Sequence, residues 1–567
     1  MAQRASREDV IQQDVHDLHS LGYAQELFRS MGGFSNFAIS FSIISILTGA
    51  VILYDYGLAW AGTAASLLGW PLITIFVLAI AASMAEVASA YPTAGGLYYW
   101  ASRMKNKEWG WWTAWLNLIG QFAIVAGINY AAALFLNATI ITPLTGGAYA
   151  NTTVFFGDPA FGAEGPALNG ALVTMAVLLA VELALNIAGV RVVAMLNQIS
   201  VWWHIFFVVV IAGALFILGT QSTTEDAGLT LFAIQPLDTA GAWDNTFPVG
   251  SENPWFSFAY GPAVSYPIVL AFFFSLLQAN WTYTGYDASA HVAEETVGAR
   301  RASAWGIFLS VAVSAVAGYI FLFAITTHLP DMTPLFPPVL EDAAVYSQYY
   351  FGDGAAVLYT LTENLGAGLG GVLGGAIAIA MVFCGLSSVA SAGRMLYAFS
   401  RDDGIPGSGW LKKVSRRYRT PANALTAMVI GAFILTFLAF WVGRGIAVVI
   451  VTAVSTIFLY AAYAVPIYLG LTTEEWKSHR VWSLGRWSKP VAVVALIWIV
   501  VLMFLFSFPT SGNISWPFMV GIVLFLLVYY FGWARRRFQG PRAMGRDEEL
   551  TEIEREFEDA ARGVAPA

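Results

Sequence analysis

The 567-residue chain is 58% hydrophobic and 11% charged, with a mean hydropathy of +0.65, where an ordinary soluble domain carries about 45–50% apolar and about 25% charged residues. Of its 28 basic and 36 acidic residues, eight lie in 1–30 and fifteen in 535–567, so the long stretch between is too poor in charge to make a water-facing surface. A soluble enzyme and a nucleic-acid-binding domain are excluded on these grounds, and the single cysteine, Cys384, excludes a disulfide framework, a thiolate metal site and a CxxC redox pair.

Residues 1–33 are polar and mixed in sign, with no apolar core of a cleaved leader, so the first membrane helix is expected to direct insertion. Twelve apolar stretches follow, each long enough to supply the ~20 residues that cross ~30 Å of hydrocarbon. Helices 1–5 are placed at 34–57, 62–90, 110–137, 168–188 and 192–219, and helices 6–10 at 266–290, 304–328, 366–400, 422–442 and 446–470. Helices 11 and 12 fall at 490–508 and 514–534, the last running from Ile514 to Ala534 without a charge. With the N-terminus inside, every Lys and Arg except Arg444 falls on the inner side, and the outer loops 220–265 and 329–365 hold none. Basic residues accumulate in cytoplasmic loops, so both termini are expected in the cytoplasm.

Helices 1 and 6 are the least clean. Helix 1 contains Ser42, Ser45, Thr48 and Gly49, and helix 6 contains Trp281-Thr-Tyr-Thr284-Gly285-Tyr286-Asp287. Small and hydroxylated residues at mid-membrane let a helix unwind where its freed backbone lines a polar cavity. Each interrupted helix opens a five-helix unit, 34–220 and 266–470, and because five is odd the second unit enters the membrane from the opposite side. Interrupted helices at matching positions of inverted halves point to a transporter's binding site; the alternative is that Gly49 and Gly285 only let helices pack closely. The expected fold is an all-α polytopic membrane protein with a five-plus-five inverted repeat, broken helices 1 and 6, two C-terminal helices (490–534), and polar ends at 1–33 and 535–567.

Three stretches go beyond pattern. Ala85-Glu86-Val-Ala-Ser-Ala-Tyr91-Pro92-Thr93-Ala-Gly95-Gly96 resembles the helix 2–3 region of amino acid permeases, and Thr284-Gly285-Tyr286-Asp287 through Glu294-Glu295-Thr296 and Arg300-Arg301 resembles their helix 6 and its inner end. Ser391-Ala-Gly-Arg394 through Arg401-Asp402-Asp-Gly404-Ile-Pro406 is similar to their helix 8 exit. Together these resemble the amino acid–polyamine–organocation (APC) superfamily, and the opening Phe34-Ser-Asn36 to Ser45 looks most like its amino acid/choline transporter branch, which includes GABA and choline permeases. The resemblance covers roughly residues 30–535 and implies secondary transport of amino acids or amines, with no enzymatic activity.

An amino acid brings a carboxylate and an ammonium. The N-terminus of the outer half of helix 1, at Thr48 and Gly49, suits the carboxylate, and carbonyls freed at Ser42 to Ser45 and at Trp281 to Thr284 suit the ammonium. Asp287 either accepts the amine or caps the inner half of helix 6, and Trp281, Tyr283 and Tyr286 form a wall for a cation or simply pack. His204 lies deep in helix 5, where relatives in the superfamily often carry a coupling lysine; an imidazole makes proton linkage reasonable, and a packing histidine is the rival. The coupling ion is therefore expected to be a proton, with sodium open and no other cofactor or metal; His291-Val-Ala-Glu294-Glu295 lacks the second histidine of a zinc hydrolase. Glu182 sits within helix 4, while Glu86, Glu294, Glu295 and Arg394 lie at inner helix ends, where a glutamate–Arg394 bridge is a candidate gate. The function expected is a permease for an amino acid or GABA-like zwitterion in the plasma or inner membrane, with a choline-like or polyamine cation, or a transport-inactive sensor, as alternatives. Its partners are the substrate and the bilayer, with no nucleic acid and no obligate protein.

Overall fold

A computed structural model of the chain describes residues 6–146, 154–156, 168–235, 268–332, 335, 354–443, 447–507 and 515–562. The remainder of the outer loops assigned from sequence (236–265 and most of 333–353), Arg444 and Ile514 lie outside these residues. Apart from a short antiparallel pair of strands, β1 (Val154–Phe156) and β2 (Leu168–Asn169), the described chain is helical. Eleven of its helices are long and apolar enough to cross a membrane, and the first half of helix 6 adds a shorter apolar piece, Val269–Thr282.

Most spans fall where hydropathy puts them, and the differences have local causes. Helix 1 is a bent series, Gly33–Ile44, Ile46–Ile52 and Tyr54–Ala61, rather than one rod. Helix 3 is longer than expected, Lys107–Leu136 continuing through a π-turn at Asn137–Ile141, and it starts on an Asn106 side-chain cap to the Trp109 N–H at 3.2 Å. Helix 8 extends back to Ala355, because a preceding helix meets it at Gly366, where the backbone is non-helical. Among the described residues, three helices of eight residues or more fall on stretches assigned no span: Arg7–Ser20, Leu97–Met104 and Asp547–Arg562. The first is fixed by a capping box in which Ser6 and Asp9 bond each other's backbone N–H.

Burial sorts the spans. The window of helix 1 is 94% buried and that of helix 10 (Ala447–Thr472) 89%, against 17% for helix 12, so helices 1 and 10 are interior and helix 12 faces lipid. Helix 10 packs along helix 3, helix 8 (to Arg401) along helix 3 and helix 5 (Val190–Leu218), and helix 7 (Ala299–Thr327) along helices 1 and 2. Helix 6 breaks at Tyr283–Asp287 and resumes as Ala288–His291 and Ala293–Glu295. Helices 1 and 6 thus meet, both broken, inside a ring of continuous helices.

The N- and C-terminal segments share one end of the bundle, here the terminal face. Met544 N–H bonds the Gly22 carbonyl at 2.8 Å, and Glu554 of the C-terminal helix accepts from the Gln25 N–H at 2.7 Å and sits 2.8 Å from His19 Nε2. The tail thus docks on the N-terminal segment, with Leu550 buried.

Candidate functional site

The break in helix 1 is centred on Ser45, which adopts a left-handed backbone conformation (φ 32°) unusual for a residue with a Cβ. Its surroundings hold it there. Ser45 Oγ lies 2.6 Å from Thr48 Oγ1 and 2.7 Å from His204 Nε2. His204 Nδ1 is 2.8 Å from the Ser200 carbonyl, so Nδ1 carries a proton and donates. With that tautomer the neutral ring accepts from Ser45 through Nε2, and an imidazolium would reverse the polarity of the contact. His204 is thereby joined to the break itself, a connection that counting along helix 5 could not supply.

The break in helix 6 turns on Gly285, at φ +88°. A Cβ there would meet Ile43 Cγ2 at 2.2 Å, and one at Gly49 would meet Thr282 Oγ1 at 2.6 Å and its Cα at 2.7 Å. Both glycines therefore serve close approach of helices 1 and 6. For Gly49 this is the packing role, not the open anion cradle anticipated for it.

Between the breaks lies a small cavity lined by Ile43, Ile44, Thr48, Gly49, Ile124, Ile128, Trp281, Thr282, Thr284 and Cys384. Its volume, about 10 Å³ for the centre of a water-sized sphere, is room for about one water. Four of the residues singled out from sequence line it: Thr48, Gly49, Trp281 and Thr284. Ser45 and Gly285 are not among the lining residues.

Several backbone groups expected to be free are taken. The N–H groups of Thr48 and Gly49 both bond the Ser45 carbonyl, at 2.8 and 3.0 Å, so the open donors at the start of the outer half belong to Ile46 and Leu47. The Trp281 carbonyl accepts from the Thr284 N–H (2.9 Å) and hydroxyl (2.6 Å), and the Ile43 carbonyl accepts from the Cys384 thiol at 3.2 Å.

Asp287 departs furthest from its expected role. It neither lines the cavity nor caps the inner half of helix 6 through its side chain. Its Oδ1 accepts from the Tyr463 hydroxyl at 2.8 Å, and its Oδ2 faces His291 Nε2 at 3.1 Å and Gln121 Nε2 at 3.3 Å. His291 Nδ1 donates to the Ala94 carbonyl at 3.0 Å, and its Nε2 also lies 3.2 Å from Asn117 Nδ2. A neutral ring accepts from Asn117; a protonated one donates to Asp287. This fully buried His–Asp pair was missed because His291 was weighed only as a metal ligand, although its i,i+4 spacing from Asp287 was visible. The proposed aromatic wall also dissolves: Tyr283 bonds Thr74 and packs on Trp70, Tyr286 packs on Tyr463, and only Trp281 reaches the cavity, its indole N–H on Ser455 Oγ at 3.0 Å. Glu182 is buried against Asn129 and Gly385, outside the cavity lining.

At the terminal face Arg394 does bridge a glutamate, Glu295, while Glu294 is taken by a second arginine. Arg394 holds Glu295 through two bonds, 3.0 and 3.1 Å, and Glu294 pairs with Arg401 through two bonds of 3.0 Å. Glu86 pairs with Arg480 at 2.8 Å. Arg394, Glu294 and Glu295 are fully buried, so these are interior pairs and not solvated interface charge. The residues before helix 1 close over them: Gln25 Nε2 donates to the Glu294 carbonyl, and Arg29 donates to the carbonyls of Ala293 and Thr296.

A family model for amino acid permeases matches residues 31–529. The chain belongs to the amino acid permease family. That places the permease in the APC superfamily, whose members are transporters and not enzymes, and makes its substrate a small molecule. The permease is 33% identical over 543 residues to amino-acid permease BAT1 of Arabidopsis thaliana, covering 92% of this chain and 95% of that one. It is 32% identical over 544 residues to the BAT1 homolog of Oryza sativa subsp. japonica (92% and 94% covered), and 26% identical over 559 residues to a Candida albicans chain named for polyamine transport (95% and 91%).

Proposed function

We propose that the permease is a secondary active transporter of an amino acid or GABA-like zwitterion, working by alternating access in the plasma or inner membrane with both termini cytoplasmic. The carrying observation is the closed, nearly filled cavity where the two helix breaks meet: a site of this kind must open to receive a solute and close around it. Orientation rests on the basic residues, all but Arg444 of which belong to segments assigned to the terminal side.

The substrate carboxylate is directed to the Ile46 and Leu47 N–H groups beside Thr48, and Trp281 and the threonines of helix 6 bound the rest. No charged side chain is among the lining residues. A polyamine would place two or more cations there without a counter-charge, a desolvation cost a zwitterion satisfied by backbone dipoles avoids. The polyamine reading is kept because of the Candida relative.

The coupling ion is proposed to be a proton carried at His204. Protonation reverses the Ser45 contact and so acts directly on the helix 1 break. Uptake into proteoliposomes, with the standard amino acids, GABA, choline and putrescine compared at pH 5.5 and 7.5, tests both the substrate and the ion. Saturable uptake of one zwitterion class, driven by an inward proton gradient, is expected, and His204→Ala is expected to flatten its pH profile. Uptake of putrescine alone would replace the zwitterion by a polyamine; binding without flux would make the protein a sensor. A sodium requirement with the pH profile intact in His204→Ala would remove the proton.

A further inference from the structure

A second, larger cleft of about 360 Å³ opens on the terminal face, where the N-terminal helix, the start of helix 1 and the start of helix 5 meet. That is within the range of small-ligand pockets, ~300–1,000 Å³. Arg7 comes from the N-terminal helix and Arg191 from the first turn of helix 5. Among the described residues, no carboxylate lies within 4 Å of either guanidinium. Arg7 spends one N–H on the Ser30 carbonyl at 3.2 Å, and Arg191 lies over the Phe28 ring at 4.7 Å, which leaves most of their donors unspent. Ser30 also lines the cleft, and its buried hydroxyl has no hydrogen-bond partner. Two cations from separate elements around one concavity, with an unpartnered hydroxyl in its wall, make a binding place for an anion with several oxygens.

What lies beyond the cleft selects the anion. Met195, also on its wall, begins a row on helix 5 of Met195, Ile199, Trp202, Phe206 and Val209, each 45–64% exposed. Spacings of three and four residues put this row on one face of the helix, and Arg191 precedes it by one turn. Phe34, 46% exposed at the start of helix 1, leans on Trp202 with ring centroids 6.4 Å apart. In a membrane protein this is a lipid-facing track that ends at the arginine cleft. A single arginine at the end of a lipid-facing helix would merely snorkel. Here a second arginine from another element and an unpartnered hydroxyl converge with it on a cleft.

We propose that this cleft binds the phosphodiester headgroup of an anionic phospholipid, with an acyl chain along the exposed face of helix 5. The inference is independent of the transported substrate. A free phosphate shares the headgroup chemistry but makes no use of the apolar track, and a zwitterionic lipid brings a choline cation against two arginines.

Thermal unfolding of the full-length detergent-purified protein tests this with dioctanoyl phosphatidylglycerol, dioctanoyl phosphatidylcholine and inorganic phosphate at matched concentrations. The glycerol lipid is expected to raise the melting temperature by mass action, while the choline lipid and phosphate have much less effect. Arg191→Gln and Arg7→Gln should each weaken phosphatidylglycerol binding by about ten-fold or more, the size of a lost charge-assisted bond. Arg301→Gln, an exposed arginine elsewhere on the terminal face, should leave it unchanged. Native mass spectrometry of lipid retained by the folded fraction gives the same comparison if a variant is less stable. Equal shifts with phosphate would overturn the lipid assignment. Equal shifts with both lipids, or phosphatidylglycerol binding that survives both cleft substitutions, would overturn the site.

Discussion

Gly49 in helix 1 and Gly285 in helix 6 set how closely the two broken helices approach. At Gly49 even one methyl group meets the Thr282 backbone, and overpacking of that kind costs about 1–3 kcal/mol. Gly49→Ala should therefore lower the melting temperature and slow uptake. Adding Thr282→Ala should relieve only a fraction of the loss, since the Thr282 Cα stays 2.7 Å from the new methyl; full rescue would show that the hydroxyl alone is in the way. Asp402, just past helix 8, gives a pH prediction. It accepts from the Tyr23 and Tyr98 hydroxyls at 2.9 and 3.0 Å, and burial pushes its carboxyl up to about 6 despite the Arg401 charge beside it. A folded-state value above the unfolded one means the folded protein binds the proton more tightly. This contribution to stability is present in full below pH ~4 and is lost as the pH rises to about 6, by up to about 1.4 kcal/mol per pH unit. The melting temperature of the parent relative to Asp402→Asn should fall across that window and level off above it. A relative rise would contradict the assignment.

At the scale of elements, the paired charges join helix 8 to the terminal-face end of helix 6. Removing one member of a buried pair leaves the other uncompensated and costs about 3–5 kcal/mol. Arg394→Gln and Glu295→Gln should each be strongly destabilising in thermal unfolding, and the double variant should lose clearly less than the sum of the two. An additive result would mean that the two side chains do not depend on each other. Hydropathy located the spans because lipid requires long apolar runs, and it marked helices 1 and 6 as exceptions because Ser, Thr and Gly dilute those runs. Which glutamate meets which arginine was illegible: Glu294 and Glu295 are neighbours in sequence, and only the turn Ala293–Glu295 decides that one faces Arg401 and the other Arg394. Asp287 was misread for a similar reason. Its partners Tyr463, Gln121 and His291 come from helices 10, 3 and 6, and the first two reach it through tertiary packing alone. The glycines were ambiguous from sequence because close packing and close ligand approach call for the same missing side chain.

For the whole molecule, the two ends of the chain close one face together. The C-terminal helix rests on the N-terminal segment through Glu554, and Phe557 lies beneath the Arg419 guanidinium at 5.4 Å, while Arg419 also donates to the Glu26 carbonyl at 2.8 Å. Deleting residues 545–567 should therefore speed proteolysis within residues 7–31 while the spans stay protected. Unchanged cleavage would mean that the N-terminal segment holds its place without the tail. The pairing of both helix 6 glutamates with helix 8 arginines has a kinetic consequence on the transport reading. On that reading, an opening toward the terminal face that parts helix 6 from helix 8 breaks both doubly bonded ion pairs together, which makes it an all-or-none event with a steep temperature dependence. The reset of the empty carrier then has no bound solute to offset that barrier, so one-for-one exchange across the bilayer should outrun net flux, and by a widening margin in the cold.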